Sequence, residues 1–195
     1  LKERKQTVYF ATGNKNKYLE ASSIAAAFGV VLKQLDIEKK EIQSEKLADI
    51  AAFAAKEAAE SIGGNVVAED AGLFVQGLGG FPGPYSSYVF DTLGLKGILK
   101  LLRNVKNRTA SFEAVVAYCD PLKRPVCLAG AVRGAITTTA RGSHGFGFDP
   151  IFVPRGARRT FAEMNLSEKN LYSHRAKAFT SFCKWFIRSR SSETS

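Results

Sequence analysis

The stretch Thr7-Val8-Tyr9-Phe10-Ala11-Thr12 is uncharged and dominated by β-branched and aromatic side chains. It reads as a buried strand. Gly13-Asn14 punctuates it, and Lys15 to Phe28 then reads as a helix, closed by Gly29 where left-handed geometry is wanted. The alternation repeats. Val30 to Leu35 is a short strand, and Lys46 to Ile62 is an amphipathic helix ended by Gly63-Gly64. Asn65 to Ala68 is a third strand, ending at Glu69-Asp70-Ala71-Gly72. A loop rich in glycine and proline covers Gly77 to Pro84, and Leu93 to Arg103 is a helix. Thr109 to Cys119 alternates strictly, with Ala110, Phe112, Ala114, Val116 and Tyr118 on one face, and Pro125 to Ile136 reads as its partner strand. Ser173 to Arg188 is a final helix with Ser173 as N-cap, and the polar tail from about residue 189 frays. This order specifies an α/β fold with a mixed sheet and no linker, so residues 1–195 read as one domain.

Composition narrows the function classes. A chain of 195 residues buries roughly 70% of its unfolded surface and needs no metal or disulfide staple. No run of eighteen apolar residues exists, and Leu1-Lys2-Glu3-Arg4-Lys5 lacks the core of a secretion signal, so a cytoplasmic protein without a membrane partner is expected. Cys119, Cys127 and Cys183 cannot all pair within one chain and form no C-x-x-C, which suits reduced thiols. The net charge of +10 favours an anionic partner. Its distribution is polarised: residues 36–70 hold nine acidic and four basic side chains, whereas residues 96–141 hold nine basic and two acidic. A nucleic-acid binder and a nucleotide enzyme both fit that balance.

Several motifs are missing. The chain has no P-loop, no complete G-x-G-x-x-G, no H-E-x-x-H and no G-x-S-x-G. Four segments remain as candidates. Thr12-Gly13-Asn14-Lys15-Asn16-Lys17 joins a strand to a helix amino terminus, which offers free backbone N–H groups and a positive dipole end to an anion; it also reads as a solvated capping turn. Glu69-Asp70 ends a strand, where open sheets gather ligand groups, and Glu41 with Asp70 could share a hard divalent cation; both also read as surface acids. Phe146-Gly147-Phe148-Asp149 alternates glycine with aromatics, so that an exposed Phe148 offers a face to a base; a buried aromatic hairpin is the alternative. His174-Arg175 opens a helix with two donors suited to a carbonyl or a phosphate, or caps it.

Taken in order, T-G-N-x-x-K, E-D-x-G-L, G-G-F-P-G-x-Y-S, F-G-F-D-P-I-F and E-K-N-x-x-S-H-R closely resemble the inosine triphosphate pyrophosphatase family, from Thr7 to about Trp185. That resemblance implies a mixed central β-sheet flanked by helices, in two lobes with the active-site cleft between them. It implies hydrolysis of ITP, dITP and XTP to the monophosphate and pyrophosphate, with Mg2+ as cofactor and Mn2+ as its substitute. It also implies a homodimer with no stable nucleic-acid partner. Residue by residue, it puts Thr12, Gly13, Asn14, Lys15, Asn16 and Lys17 on the triphosphate. It makes Asp70 the catalytic metal ligand and base, and Glu41 a second metal ligand. Phe146, Gly147, Phe148 and Asp149 line the base pocket, Lys169 joins them, and His174 with Arg175 reads the 6-keto edge. Lys56 matches a lysine facing the phosphates. Two departures stand out. Ala71 replaces a frequent serine and keeps only its backbone N–H for substrate, and Phe148 replaces a frequent tyrosine.

Overall fold

The computed structural model describes residues 6–37 and 42–192. Strand β1 (Gln6–Ala11) leads into helix α1 (Lys15–Ala26), strand β2 (Val30–Leu35), helix α2 (Leu47–Ile62) and strand β3 (Val66–Val75). Strand β4 (Pro82–Gly83) and helices α3 (Ser86–Thr92) and α4 (Gly94–Leu101) follow. Strands β5 (Thr109–Cys119), β6 (Val126–Ile136) and β7 (Phe152–Pro154), then helices α5 (Leu166–Asn170) and α6 (His174–Ser192), complete the described chain. The strand order is β2-β1-β3-β5-β6-β7, with β4 on β3. The sheet is mixed: β1 pairs parallel with β2 and β3, while β3–β4 and β6–β7 are antiparallel.

The described chain divides into two compact units. The first takes the residues up to Asp70, Val115–Gly130 and those from Arg175 onward; the second takes Ala71–Ala114 and Ala131–His174. Strands β3, β5 and β6 contribute residues to both.

In the first unit, α2 buries Ala51, Ala55, Ala58 and Ala59 against Ala11, Val66, Ala68 and Ala117. Methyl-sized side chains at helical spacing let the helix backbone approach the strands closely. Gly63 ends α2 at φ 60°, accepting the left-handed cap that other residues resist. On α6, Phe179, Phe182 and Phe186 are buried; Phe179 meets Phe10 edge-on at 5.3 Å, and Tyr118 packs on Phe182, Trp185 and Phe186. Each such ring contributes about 1.5–3 kcal/mol when fully buried. This packing continues past Arg188, where a frayed tail was expected. The helix runs to Ser192, and Arg190 lies over the Phe186 ring at 5.3 Å.

In the second unit, Leu73, Val75, Ile98, Phe112, Phe152 and Phe161 form the core. Two elements depart from the expectation. Strand β3 does not stop at Ala68. The pairing with β1 ends there, but Leu73 and Phe74 pair with Gly83 and Pro82 of β4. Gly72 is no turn residue: a Cβ on it would lie 2.3 Å from the Gly83 carbonyl oxygen, so glycine serves close strand approach. Ser86 fixes this contact, donating to the Gly83 carbonyl at 2.7 Å and accepting the Leu73 N–H at 2.8 Å. The second departure is α3, unforeseen because it is short and follows a glycine-proline loop; Gly94 at φ 61° separates it from α4.

Candidate active site

The turn after β1 is held from both sides. The Thr12 N–H donates to the Leu35 carbonyl at 3.1 Å, extending the parallel pairing past the strand end, and the Gln34 amide donates to the Thr12 carbonyl at 2.9 Å. The Asn14 side chain accepts the Lys17 N–H at 3.1 Å and caps α1, so part of the turn's donor capacity is used by the cap itself. Thr12 is buried, whereas Gly13, Asn14, Lys15 and Asn16 are exposed at the start of the helix. That leaves an open helix amino terminus with two lysines beside it, a geometry suited to phosphate.

Lys17 points inward from this turn. Its ammonium lies 3.0 Å from Glu69 Oε2 and donates to the Glu69 carbonyl at 3.4 Å. Arg175, first residue of its segment in this unit, is 2% exposed. Its Nε and Nη2 meet Glu69 Oε1, each at 3.0 Å, and its Nη1 donates to Glu20 Oε2 at 2.5 Å. Burial alone would lower the Arg175 pKa; the charges of Glu69 and Glu20 outweigh it and hold the guanidinium above the ordinary arginine range. Asp70, next in β3 after Glu69, is half-buried. Glu20 was not foreseen. Its signal was present in the helical period, because it falls on the buried face of α1 with Ala21, Ile24 and Ala25.

The second unit gathers another set. The Lys169 ammonium lies 2.6 Å from Asp149 Oδ2, with both side chains 4% exposed. That oxygen also accepts the Phe146 N–H at 2.9 Å. A Cβ on Gly145 would lie 2.1 Å from it, so only glycine lets the loop wrap this carboxylate. The same ammonium stands 5.1 Å from the Phe146 ring centroid and 5.5 Å from that of Phe161. His174 stacks on Phe112 at 4.8 Å with the rings 10° from parallel. The F-G-F-D segment differs from its expectation at one ring. Phe148 is not exposed; it is 3% accessible and meets Phe90 edge-on at 5.4 Å. Phe146 is the half-exposed aromatic, and Gly147 beside it is also half-exposed. The core wins Phe148 because its neighbours Ile151 and Phe152 are themselves fully buried.

The remaining candidates are placed as follows. Ala71 is half-buried and is the first residue of the second unit, joined to Asp70 by the chain. Lys56 lies on the open face of α2, 3.8 Å from Glu60 one turn on. Glu41 lies outside the described residues.

An open helix amino terminus beside two lysines, with a half-buried aspartate in the same unit, suits a phosphate-bearing ligand. The comparisons carry this further. Residues 8–185 match the model of the Ham1 family. The chain is 51% identical over 179 residues to a dITP/XTP pyrophosphatase of Methanopyrus kandleri, covering 92% of this chain and 95% of that protein. It is 49% identical to a dITP/XTP pyrophosphatase of Saccharolobus solfataricus, covering 89% and 90%. The solved structure of a HAM1 protein from Coxiella burnetii superposes with a TM-score of 0.81 at 27% identity, covering 94% of this chain and 99% of that one. The chain belongs to the Ham1 family.

Proposed function

We propose that this protein hydrolyses non-canonical purine nucleoside triphosphates (ITP, dITP and XTP) to the nucleoside monophosphate and pyrophosphate. The near-full-length match to proteins named dITP/XTP pyrophosphatase carries the reading. In it, the turn Thr12–Lys17 takes the triphosphate, with Lys15 and Lys17 supplying charge. Asp70 orients and deprotonates the water that attacks the α-phosphorus. Pyrophosphate leaves as the P–O bond to the β-phosphate breaks, and lysine charge stabilises it. Ala71 offers its backbone N–H next to that aspartate. Phe146, Gly147, Asp149, Lys169 and His174 receive the base, and Phe148 backs the pocket from the core. Donors facing the 6-keto oxygen accept hypoxanthine and xanthine; the amino group of adenine leaves those donors unpaired, and a buried polar site rejects it.

A divalent cation is part of this reading. Among the described residues, no group of three His, Cys, Asp or Glu side chains comes together to hold a metal, and Glu69 is committed to Arg175 and Lys17. Asp70, a half-buried carboxylate of the kind that suits a hard cation, would hold Mg2+, or Mn2+ in its place. Glu41 is the candidate second ligand. Such an ion neutralises phosphate charge and lowers the pKa of bound water.

Other parts of the reading concern the whole molecule. Exposed Phe81, Tyr85 and Tyr88, the last at 71%, support a homodimer, checked by mass in solution. Among the described residues no helix is long and apolar enough to cross a membrane, which accords with a cytoplasmic nucleotide-pool enzyme. Product analysis on ITP, dITP, XTP, GTP, ATP and dUTP with magnesium tests the function. Monophosphate with pyrophosphate from the first three supports it. Orthophosphate with diphosphate puts attack at the wrong phosphorus, and no turnover refutes the enzyme reading in favour of a basic nucleic-acid-binding module.

A further inference from the structure

Several arginines of the second unit are engaged. Arg108 donates to the carbonyls of Leu102, Ile136 and Thr137, and Arg141 and Arg159 meet Glu163 and Glu168. Arg133 and Arg155 differ. Both are exposed, and among the described residues neither guanidinium has an ion pair or a hydrogen-bond partner. They stand directly opposite each other. Gly134 pairs with Pro154 across β6 and β7, and one step further the Arg155 N–H donates to the Arg133 carbonyl at 2.8 Å. Opposed residues of an antiparallel pair leave the same face with Cβ atoms about 4.5–5.5 Å apart, where like charges repel. Both arginines line one cavity of about 540 Å³. Gln76, just past β3, and Thr109, which opens β5, line it too and bring an amide and a hydroxyl. Val153 and Pro154 give it an apolar wall. A Cβ on Gly134 would lie 2.2 Å from the Val153 carbonyl oxygen, so glycine lets the two strands that carry the arginines pair closely.

We propose that this cavity binds a small phosphate-bearing anion of about diphosphate size, through the guanidiniums of Arg133 and Arg155. None of the residues that line it is among those given above to the nucleotide. Two guanidiniums set side by side without an acid are a local conflict, and a multiply charged oxyanion relieves it. Each planar fork matches phosphate oxygens bidentately. No described residue lining the cavity carries a carboxylate, which leaves a cation without a ligand there. None carries an aromatic ring, so the stacking platform that a nucleic-acid strand uses is missing. The volume falls within the about 300–1,000 Å³ usual for small ligands. The charge of the unit points the same way. Residues 71–114 and 131–174 hold eleven basic and five acidic side chains, a surplus of six out of the chain's net ten. An anion site of this kind gives that surplus a use and needs no role assigned above to the triphosphate or the base.

Inorganic pyrophosphate is the probe, titrated into the whole chain without divalent cations and followed by NMR at backbone amides and arginine Nε groups. Saturable shifts are expected at Arg133, Gly134, Arg155 and Gly156, half complete at about 1 mM or below. Either Arg133→Gln or Arg155→Gln is expected to weaken this saturation about tenfold, and the double variant to abolish it, as for loss of charge-assisted hydrogen bonds. Shifts in the Thr12–Lys17 turn persist in these variants, and kcat/KM for ITP stays within about twofold of wild type. Both side chains are exposed, so the fold is retained, which thermal unfolding checks; the single variants carry the test if the double one does not fold. Absence of saturation up to about 10 mM, or shifts unchanged in the double variant, overturns the site. Equal shifts with sodium chloride at matched ionic strength also overturn it, because they report only screened surface charge. A thymidine oligonucleotide that saturates the same amides at lower concentration, with an affinity that falls steeply with salt, replaces the small anion by a nucleic-acid strand. A wild-type protein that does not turn over ITP refutes the nucleotide reading instead, and the amide shifts still decide the anion site.

Discussion

Replacing Lys169 with methionine isolates the energetics of the buried pair in the second unit. The substitution preserves an unbranched side chain of similar length, and a thioether is tolerated against the Phe146 and Phe161 rings that the ammonium now faces. What it removes is the cation 2.6 Å from Asp149 Oδ2, in a place where both side chains are 4% exposed. Breaking a buried ion pair from one side costs about 3–5 kcal/mol. A second limit applies: the carboxylate that has lost its cation escapes by binding a proton, which for a group with an unfolded value near 3.9 costs about 4 kcal/mol at pH 7. The loss at pH 7 is therefore about 3–4 kcal/mol, a large share of a stability of about 5–15 kcal/mol. The sign with pH follows. In the variant the folded state holds this proton more tightly than the unfolded state, so stability falls as pH rises above about 3.9 and is regained below it. At pH 5 the protonation limit shrinks to about 1.5 kcal/mol. Urea unfolding of both proteins at pH 5 and pH 7, with unchanged m-value, measures the difference. A deficit below about 1 kcal/mol at pH 7, or equal deficits at the two pH values, refutes the argument. Adding Asp149→Asn to the variant recovers part of the pH 7 loss, because the carboxylate charge that Lys169 balanced is then removed as well.

Asp70→Asn keeps the fold and lowers kcat on ITP by about 10²–10⁴, as expected for loss of a general base; undiminished turnover refutes the assignment. Native protein exposes a single reactive thiol to a disulfide reagent, Cys127, because it is the exposed one of the three; desolvation pushes Cys183 up to about 12 and raises Cys119 and Cys127 as well, so access selects it; all three react after denaturation, and early modification of Cys183 contradicts its burial. Ser86→Ala leaves the Leu73 N–H and the Gly83 carbonyl without their side-chain partner, for a loss of about 2–4 kcal/mol read by thermal unfolding. The Glu163 carboxyl is lowered by the Thr160 backbone N–H, and that of Glu168 by Arg159 and then the Asn165 backbone N–H. Their stabilisation is present above the ordinary glutamate value and is lost as pH falls through the lowered one. Carboxyl chemical shifts followed by NMR from pH 6 to pH 2 test this, and a midpoint above about 4.3 for either contradicts it.

Much of this architecture was written in local sequence. Gly63 stops α2 because left-handed geometry is a property of one residue, whereas α1 ends at Ala26, short of the expected Phe28, and Gly29 at positive φ turns the chain two residues past its cap. The alternation in β5 is equally local. It holds from Thr109 to Val116 and breaks into an unbroken buried run to Cys119 where the strand enters the alanine-rich core of the first unit. The order of the five motifs points to the family on sequence alone, since each needs only a few neighbouring residues. What escaped depended on partners distant in the chain. The extension of β3 past Ala68 to Val75 depends on strands later in the chain, β4 against Leu73 and Phe74 and β5 as its neighbour in the sheet. Phe148 and Phe146 are alike as letters, and only packing against Phe90 decided which ring goes inside. Arg175 is the sharpest case. Its chemistry as a donor was fixed by its identity, but its acceptors lie 106 and 155 residues away in sequence, at Glu69 and Glu20. Local pattern sets what a side chain can do, through charge, shape and backbone preference; burial beside a particular partner, decided only when distant segments meet, sets which of those capacities is used.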